Sequence, residues 1–226
     1  MTRREVPEAA LRRRLLDRVE ASHRHERQFT TVRREPREWS ARSSTALSSV
    51  IALAPGARLV LDPACNHVEL VVLAGGVLVD DRQLACGDAL VAGALRCAEA
   101  HPTEGARVYL RQSRVDAPIV RGLMVHTQDD AGWDDFCPGV RIRELWNGGE
   151  RRSVLVRMRP GASVVAHAHP LEEECMMLDG EAFIGDTLLR SGEFQLAPPG
   201  SRHGGITTDV GALFFVHGSL DPSAYA

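Results

Sequence analysis

The sequence has no lysine: all 27 of its basic residues are arginine, set against 30 acidic ones, for a formal net charge of -3. A chain so balanced exerts no general pull on nucleic acid or on an acidic membrane surface, and neither is expected as a partner. It also lacks any run close to the ~20 apolar residues that span a bilayer, and its arginine-rich start has neither the apolar core nor the cleavage site of a secretory signal, so a cytoplasmic protein is expected. Cysteine is scarce and odd in number. Cys65, Cys86, Cys97, Cys137 and Cys175 follow no framework spacing, which argues against a disulfide scaffold and fits a reducing compartment where they act as small buried hydrophobes.

What is present is ordinary globular composition, 44% apolar and 25% charged over 226 residues, enough for a real core and for one large or two compact domains. From Pro7 to about Glu26, Leu11, Leu15, Leu16 and Val19 recur at helical spacing opposite Arg12, Arg13, Asp17, Arg18 and Glu20, which predicts one short amphipathic α-helix. From Phe29 the pattern changes to short β-rich runs cut by Gly, Pro and Asp turns, the rhythm of an all-β sandwich or barrel.

That rhythm occurs twice. Ala54-Pro55-Gly56-Ala57 returns as Arg159-Pro160-Gly161-Ala162, Glu69 and Gly76 as Glu173 and Gly180, and Gly87-Asp88 as Gly192-Glu193, at an offset of 104 or 105 residues. Thr31-Val32-Arg33 with Trp39, and Met124-Val125-His126 with Trp133, extend the match at a shorter offset. A tandem duplication is the simplest account. The polar, Pro-containing stretch Gln112 to Pro118 reads as the linker, giving a helix over 1–28, a first barrel over 29–116 and a second over 117–226.

The chemistry is concentrated in the second copy. His167 and His169, two apart on a predicted strand, point to one side of the sheet, with the small Ala166 and Ala168 facing out. Pro170-Leu171 turns the chain so that Glu173 faces the same interior, and His203 arrives from a later hairpin set by Pro198-Pro199-Gly200. Three imidazoles and one carboxylate make a borderline donor set suited to zinc, iron, manganese, nickel or copper. Cys175 and Met177 share the face of Glu173, and Phe183, Phe194 and Phe215 are expected beside them as pocket lining. In the first copy the same intervals put Pro63 and Cys65 in place of the two histidines and Ala98 in place of the third, so only Glu69 survives. That barrel reads as degenerate for metal, with His67, Cys65 and Cys97 as an alternative soft site. His101, His126 and His217 belong to no spaced cluster and read as structural.

Gly161-x5-His167-x-His169-x3-Glu173-x6-Gly180 and Gly192-x5-Pro198-x-Gly200-x2-His203 match both signature motifs of the cupin superfamily, with Thr207 where the second motif usually has Asn. The neighbours Glu172 and Glu174 compete for the acidic position; the motif's six-residue gap to Gly180 selects Glu173. Arg151-Arg152-Ser153-Val154-Leu155-Val156-Arg157-Met158, Ala197-Pro198-Pro199-Gly200-Ser201 and His203 resemble, within that superfamily, the ChrR cupin-like domain. The resemblance implies an all-β fold of two tandem jelly-roll barrels behind a short N-terminal helix, and one divalent metal, zinc first, with iron or manganese as alternatives, on His167, His169, Glu173 and His203. It also implies two functional classes. One is the sensory half of a zinc-dependent anti-sigma factor answering oxidative signals, with the helix contacting a sigma-factor-like protein. The other is a dioxygenase of a small diketone or hydroxylated aromatic ketone. The zinc motif of the sigma-binding domain is missing, because no Cys precedes Cys65 and His23 and His25 cannot replace it. A small-molecule ligand and either a monomer or a homodimer remain open.

Overall fold

A computed structural model describes residues 12, 13, 15–17, 19, 20, 28–33, 38–93, 95, 97–116, 119 and 122–220. The amphipathic helix is present where it is described: residues 12, 13, 15–17, 19 and 20 are helical, with Leu15, Leu16 and Val19 between 51% and 56% exposed. The rest of the expected helix, including His23 and His25, lies outside the described residues.

Everything after it is β, in two curled sheets. The first runs in the order Leu123–His126, Asp88–Ala92, His67–Val79, Ala106–Ser113, Ala46–Leu53, Trp39–Arg42. The second runs Thr30–Val32, Phe194–Ala197, Glu173–Ile184, Ala212–Gly218, Arg152–Met158, Val140–Asn147, Asp134–Cys137. In each, the long central strand carries a bulge, between Val72 and Ala74 or between Met177 and Asp179, and its far half pairs into a smaller sheet that closes the barrel. The corner needs glycine. Gly75 and Gly180 have φ of 68° and 73°, and a Cβ on either would lie 2.2 or 2.1 Å from the carbonyl oxygen of Gly105 or Gly211.

This shared corner corrects the alignment of the two copies. Gly75, not Gly76, is the counterpart of Gly180, so the offset is 105 and Glu69 corresponds to Glu174; the place of Glu173 is taken by Val68, buried in apolar core. His167 and His169 fall on Asp62 and Ala64. Ala98 pairs with Leu59 and Val79 as Ile206 pairs with Val164 and Ile184, so the place of His203 is Leu95. The first copy therefore keeps none of the four ligands. Leu61, Val68, Leu70, Val77, Leu84 and Leu90 fill its interior.

The sheets also exchange strands. Thr30–Val32, from the first copy, pairs with Phe194–Ala197 of the second, and Leu123–His126 pairs with Asp88–Ala92 of the first. Thr31 sits opposite Gln195 and Met124 opposite Leu90, equivalent positions in the two copies. The chain therefore crosses position 116 twice in its sheet pairing. An apolar layer made by both copies, with Tyr109, Phe194 and Phe215 fully buried, lies between the two sheets.

Candidate metal centre

His167, His169, Glu173 and His203 lie together in the second barrel, each offering a ligand atom within 4.8 Å of the others, and none is more than 6% exposed. The backbone explains how segments so far apart in sequence converge. The strand expected to carry His167 and His169 ends at Val164, and beyond it the chain runs against the Pro198–His203 turn. His169 N–H donates to the Ser201 carbonyl at 2.9 Å, Gly200 N–H to His169 at 2.7 Å, and His203 N–H to His167 at 3.0 Å. Alternation survives this irregularity: Ala166 and Ala168 are exposed while the two histidines are buried. Glu173 opens the adjoining strand, opposite Ala197. Phe29, arriving with the exchanged strand, packs its ring 4.7 Å from that of His203.

The ring nitrogens converge closely enough to share one metal ion. His167 Nδ1 is 3.0 Å from the Val165 carbonyl, a bond that places the proton on Nδ1 and makes Nε2 the nitrogen that bears the ring's lone pair. His169 Nδ1 lies 3.4 Å from Glu173 Oε2, and both His169 Nε2 and Glu173 Oε2 are buried without a hydrogen bond. Buried polar atoms left without hydrogen bonds are costly unless something satisfies them, and a divalent cation accepting this borderline N₃O donor set fits that need. Burial, outweighing the Val165 bond and the Glu173 charge, pushes the His167 pKa down, which favours the neutral, liganding imidazole.

The cavity beside these groups measures about 50 Å³ and is walled by apolar side chains, among them Phe136, Ile142, Val156, Ile184 and Phe214. Cys175 lines it as expected; burial first, and the Glu173 charge second, push its thiol far up, which favours the protonated form. The other expected lining residues are elsewhere. Met177 belongs to the barrel core, Phe183 is 43% exposed, and Phe194 and Phe215 face the layer between the sheets. In a strand a one-residue error reverses the face, and Phe214 is the residue that looks inward.

The alternative soft site in the first copy does not assemble: the group above is the only set of metal-ligating side chains among the described residues, and Cys65 and Cys97 are free thiols. His67 and His217 instead turn into a buried polar network between the two sheets that the sequence reading did not anticipate. Arg111, 1% exposed, donates from Nε to Glu174 at 3.0 Å and from Nη1 to Glu69 and to Ser113, each at 3.1 Å. Glu69 also faces His67 at 3.3 Å and His217 at 3.4 Å, and His217 shares a 2.8 Å hydrogen bond with Ser153. The available signal was Arg111 in phase with Tyr109 and Ser113 on the strand Ala106–Ser113. His126, by contrast, pairs with Asp88 at the surface, and His101 contacts only Thr103 through its ring nitrogen.

Comparison with known proteins agrees with this geometry. Residues 121–221 match the family model of the ChrR cupin-like domain, so this segment is similar to that domain. Among solved structures, a Pseudomonas aeruginosa protein provisionally described as glyoxylate-induced is similar, at 14% identity and a TM-score of 0.63, over 85% of this chain and 80% of that one. A Nostoc punctiforme protein provisionally described as a dioxygenase is similar, at 16% identity and a TM-score of 0.60, over 84% and 82%. A point variant of Bacillus subtilis oxalate decarboxylase is similar, at 17% and 0.54, over 80% and 72%. At such identities these three speak for the fold only. No curated protein sequence matches the chain significantly.

Proposed function

We propose that the protein is a metal-binding regulatory cupin: the second barrel holds one divalent ion, zinc first, on His167, His169, Glu173 and His203, and the chain acts as a sensor in oxidative-stress control. A bound zinc ion would supply a fixed charge joining four side chains from separate segments, whereas iron or manganese would add redox chemistry. The observation that carries the choice of a sensor over an enzyme is the cavity. At about 50 Å³ it has room for a few waters. Pockets for organic ligands run to several hundred cubic ångströms and hold placed polar groups. Among the described residues the wall beyond the ligands offers nothing polar except Cys175, which leaves a diketone or an aromatic ketone without an orienting group there. The half-exposed Leu15, Leu16 and Val19 on the N-terminal helix support a protein partner of the sigma-factor type.

Elemental analysis and oxygen uptake on the same preparation test this. About one zinc per chain, missing from His167→Ala/His169→Ala, with no oxygen consumed in the presence of pentane-2,4-dione, is the expected result. Iron or manganese together with dione-dependent oxygen uptake, abolished in that variant, would replace the sensor with a dioxygenase. A folded wild-type protein that takes up no metal would overturn the metal site itself.

A further inference from the structure

The metal ligand Glu173 stands between two other glutamates, and all three are buried: Glu172 is 8%, Glu173 6% and Glu174 2% exposed. Alternation sends Glu173 into its own barrel and its two neighbours the other way, toward the first copy. There each finds partners. Ser44 donates to Glu172 from its backbone N–H at 3.0 Å and from its hydroxyl at 2.8 Å. Arg111 Nε donates to Glu174 Oε1 at 3.0 Å, and the Ser48 hydroxyl donates to Glu174 Oε2. Among the described residues, the side-chain hydrogen bonds of Glu172 and Glu174 therefore come from the copy that has no metal site.

The two copies are built alike here but equipped differently. Arg111 sits opposite Ser48 and Glu69 in its ladder as His217 sits opposite Ser153 and Glu174 in the other, so the two trios are counterparts. Each glutamate reaches the other copy's base: Glu174 meets Arg111, and Glu69 meets His217. The permanently charged guanidinium is thus placed against the strand that bears the metal ligand. The titratable imidazole faces the strand where Val68 stands in the ligand's place. Arg guanidinium held by two carboxylates is a geometrically fixed anchor, more so than an imidazole.

We propose that Arg111, Ser44 and Ser48 are positioning residues for Glu173, and that the ligand-free first barrel serves as the outer support of the metal centre. By clasping the residues on either side of Glu173, they fix where its carboxylate lies relative to the three imidazoles. The inference rests on the metal-binding reading above. It carries a sign that separates it from simple electrostatics: removing the Arg111 charge leaves the neighbourhood more negative, which by charge effects would tighten cation binding, whereas loss of positioning weakens it.

The test uses the full chain with Co(II) as probe, reading affinity and the visible absorption band, with circular dichroism and thermal melting to confirm folding. Arg111→Met is expected to weaken Co(II) binding by about 10- to 100-fold and to alter the band, with Arg111→Lys recovering part of both. Ser44→Ala and Ser48→Ala, which change no charge and remove one hydroxyl each, are expected to weaken it several-fold; they carry the test if Arg111→Met fails to fold. Folded variants with wild-type affinity and spectrum, or with tighter binding, would overturn the proposal. A folded wild-type protein that binds no Co(II) would overturn the metal reading beneath it, a result read on wild type and so distinct from the variant outcomes.

Discussion

Gly218→Ala is the substitution whose consequence can be worked furthest from the coordinates. Gly218 ends the strand Ala212–Gly218 opposite Arg152, directly over the candidate metal ligand Glu173. A Cβ there would lie 2.8 Å from Cγ, 3.0 Å from Cβ and 3.2 Å from Cα of Glu173. Carbon contacts settle at ~3.5–4.0 Å, so Glu173 must retreat by roughly 0.7 Å or more. Rotating its carboxylate away does not relieve this, because two of the three contacts are at its stem. Crowding of this kind costs about 1–3 kcal/mol, against a gain of about 0.4–1 kcal/mol from the stiffer unfolded chain, so a net loss of about 1–2 kcal/mol is expected. For a chain of this size that lowers Tm by about 2–8 °C. The effect on metal is larger in proportion, since ligand distances tolerate only ~0.2 Å. A fall in zinc affinity of about tenfold or more, equivalent to about 1.4 kcal/mol, is expected by competition with a chelator. A folded Gly218→Ala protein with unchanged zinc affinity would refute the placement of Glu173 as a ligand held beneath this glycine.

Acid should weaken the fold in two stages. Burial, with the Arg111 charge, holds His217 below its ordinary pKa of 6.5, so the unfolded chain takes up that proton first and stability declines as pH falls below about 6.5. Burial would raise the Glu69 carboxyl, but His217, His67 and Arg111 overcome it and hold it well below the usual range; its contribution, present above about 4.5, is lost as pH falls toward its folded value. Thermal melts from pH 8 to 4 should show this slope, and His217→Gln should flatten its upper part; equal slopes in both proteins would contradict it. Native labelling with a maleimide should modify the exposed Cys86 and spare Cys175, whose reaction should appear only on unfolding; mass spectrometry finding Cys175 labelled at a comparable rate would show the cavity to be open. Phe194→Ala empties a fully buried site that packs 4.8 Å from Trp39 of the first copy, and should cost about 3–5 kcal/mol in a denaturant titration. A loss under ~1 kcal/mol would mean that the layer between the sheets is not a true core.

The candidate metal cluster was legible because its spacing is local. His167 and His169 share a face through the two-residue period, and Pro198-Pro199-Gly200 sets the turn that brings His203 back, so the residues could be named from their intervals. The pocket wall was not legible. Whether Phe214 or Phe215 looks inward depends on the register of one strand, and composition does not carry register.

The copy alignment shows the same division. Repeated Pro-Gly pairs and turn glycines located the duplication. Placing Glu69 on Glu174 instead of Glu173 needed the bulge and the glycine corner at Gly75 and Gly180, where chain packing decides which of two adjacent glycines bends the strand.

The amino-acid order set the β rhythm, the repeat, the helix and the four clustered side chains, because each follows from periodicity or short-range turn chemistry. Tertiary structure alone decided the exchange of Thr30–Val32 and Leu123–His126 between sheets, and the meeting of Arg111 with Glu69 and Glu174 in the core. Those contacts join residues from 32 to 166 positions apart. Their formation turns on which faces can be buried together and which charges must then find partners, a condition on the whole packed molecule that no single segment states.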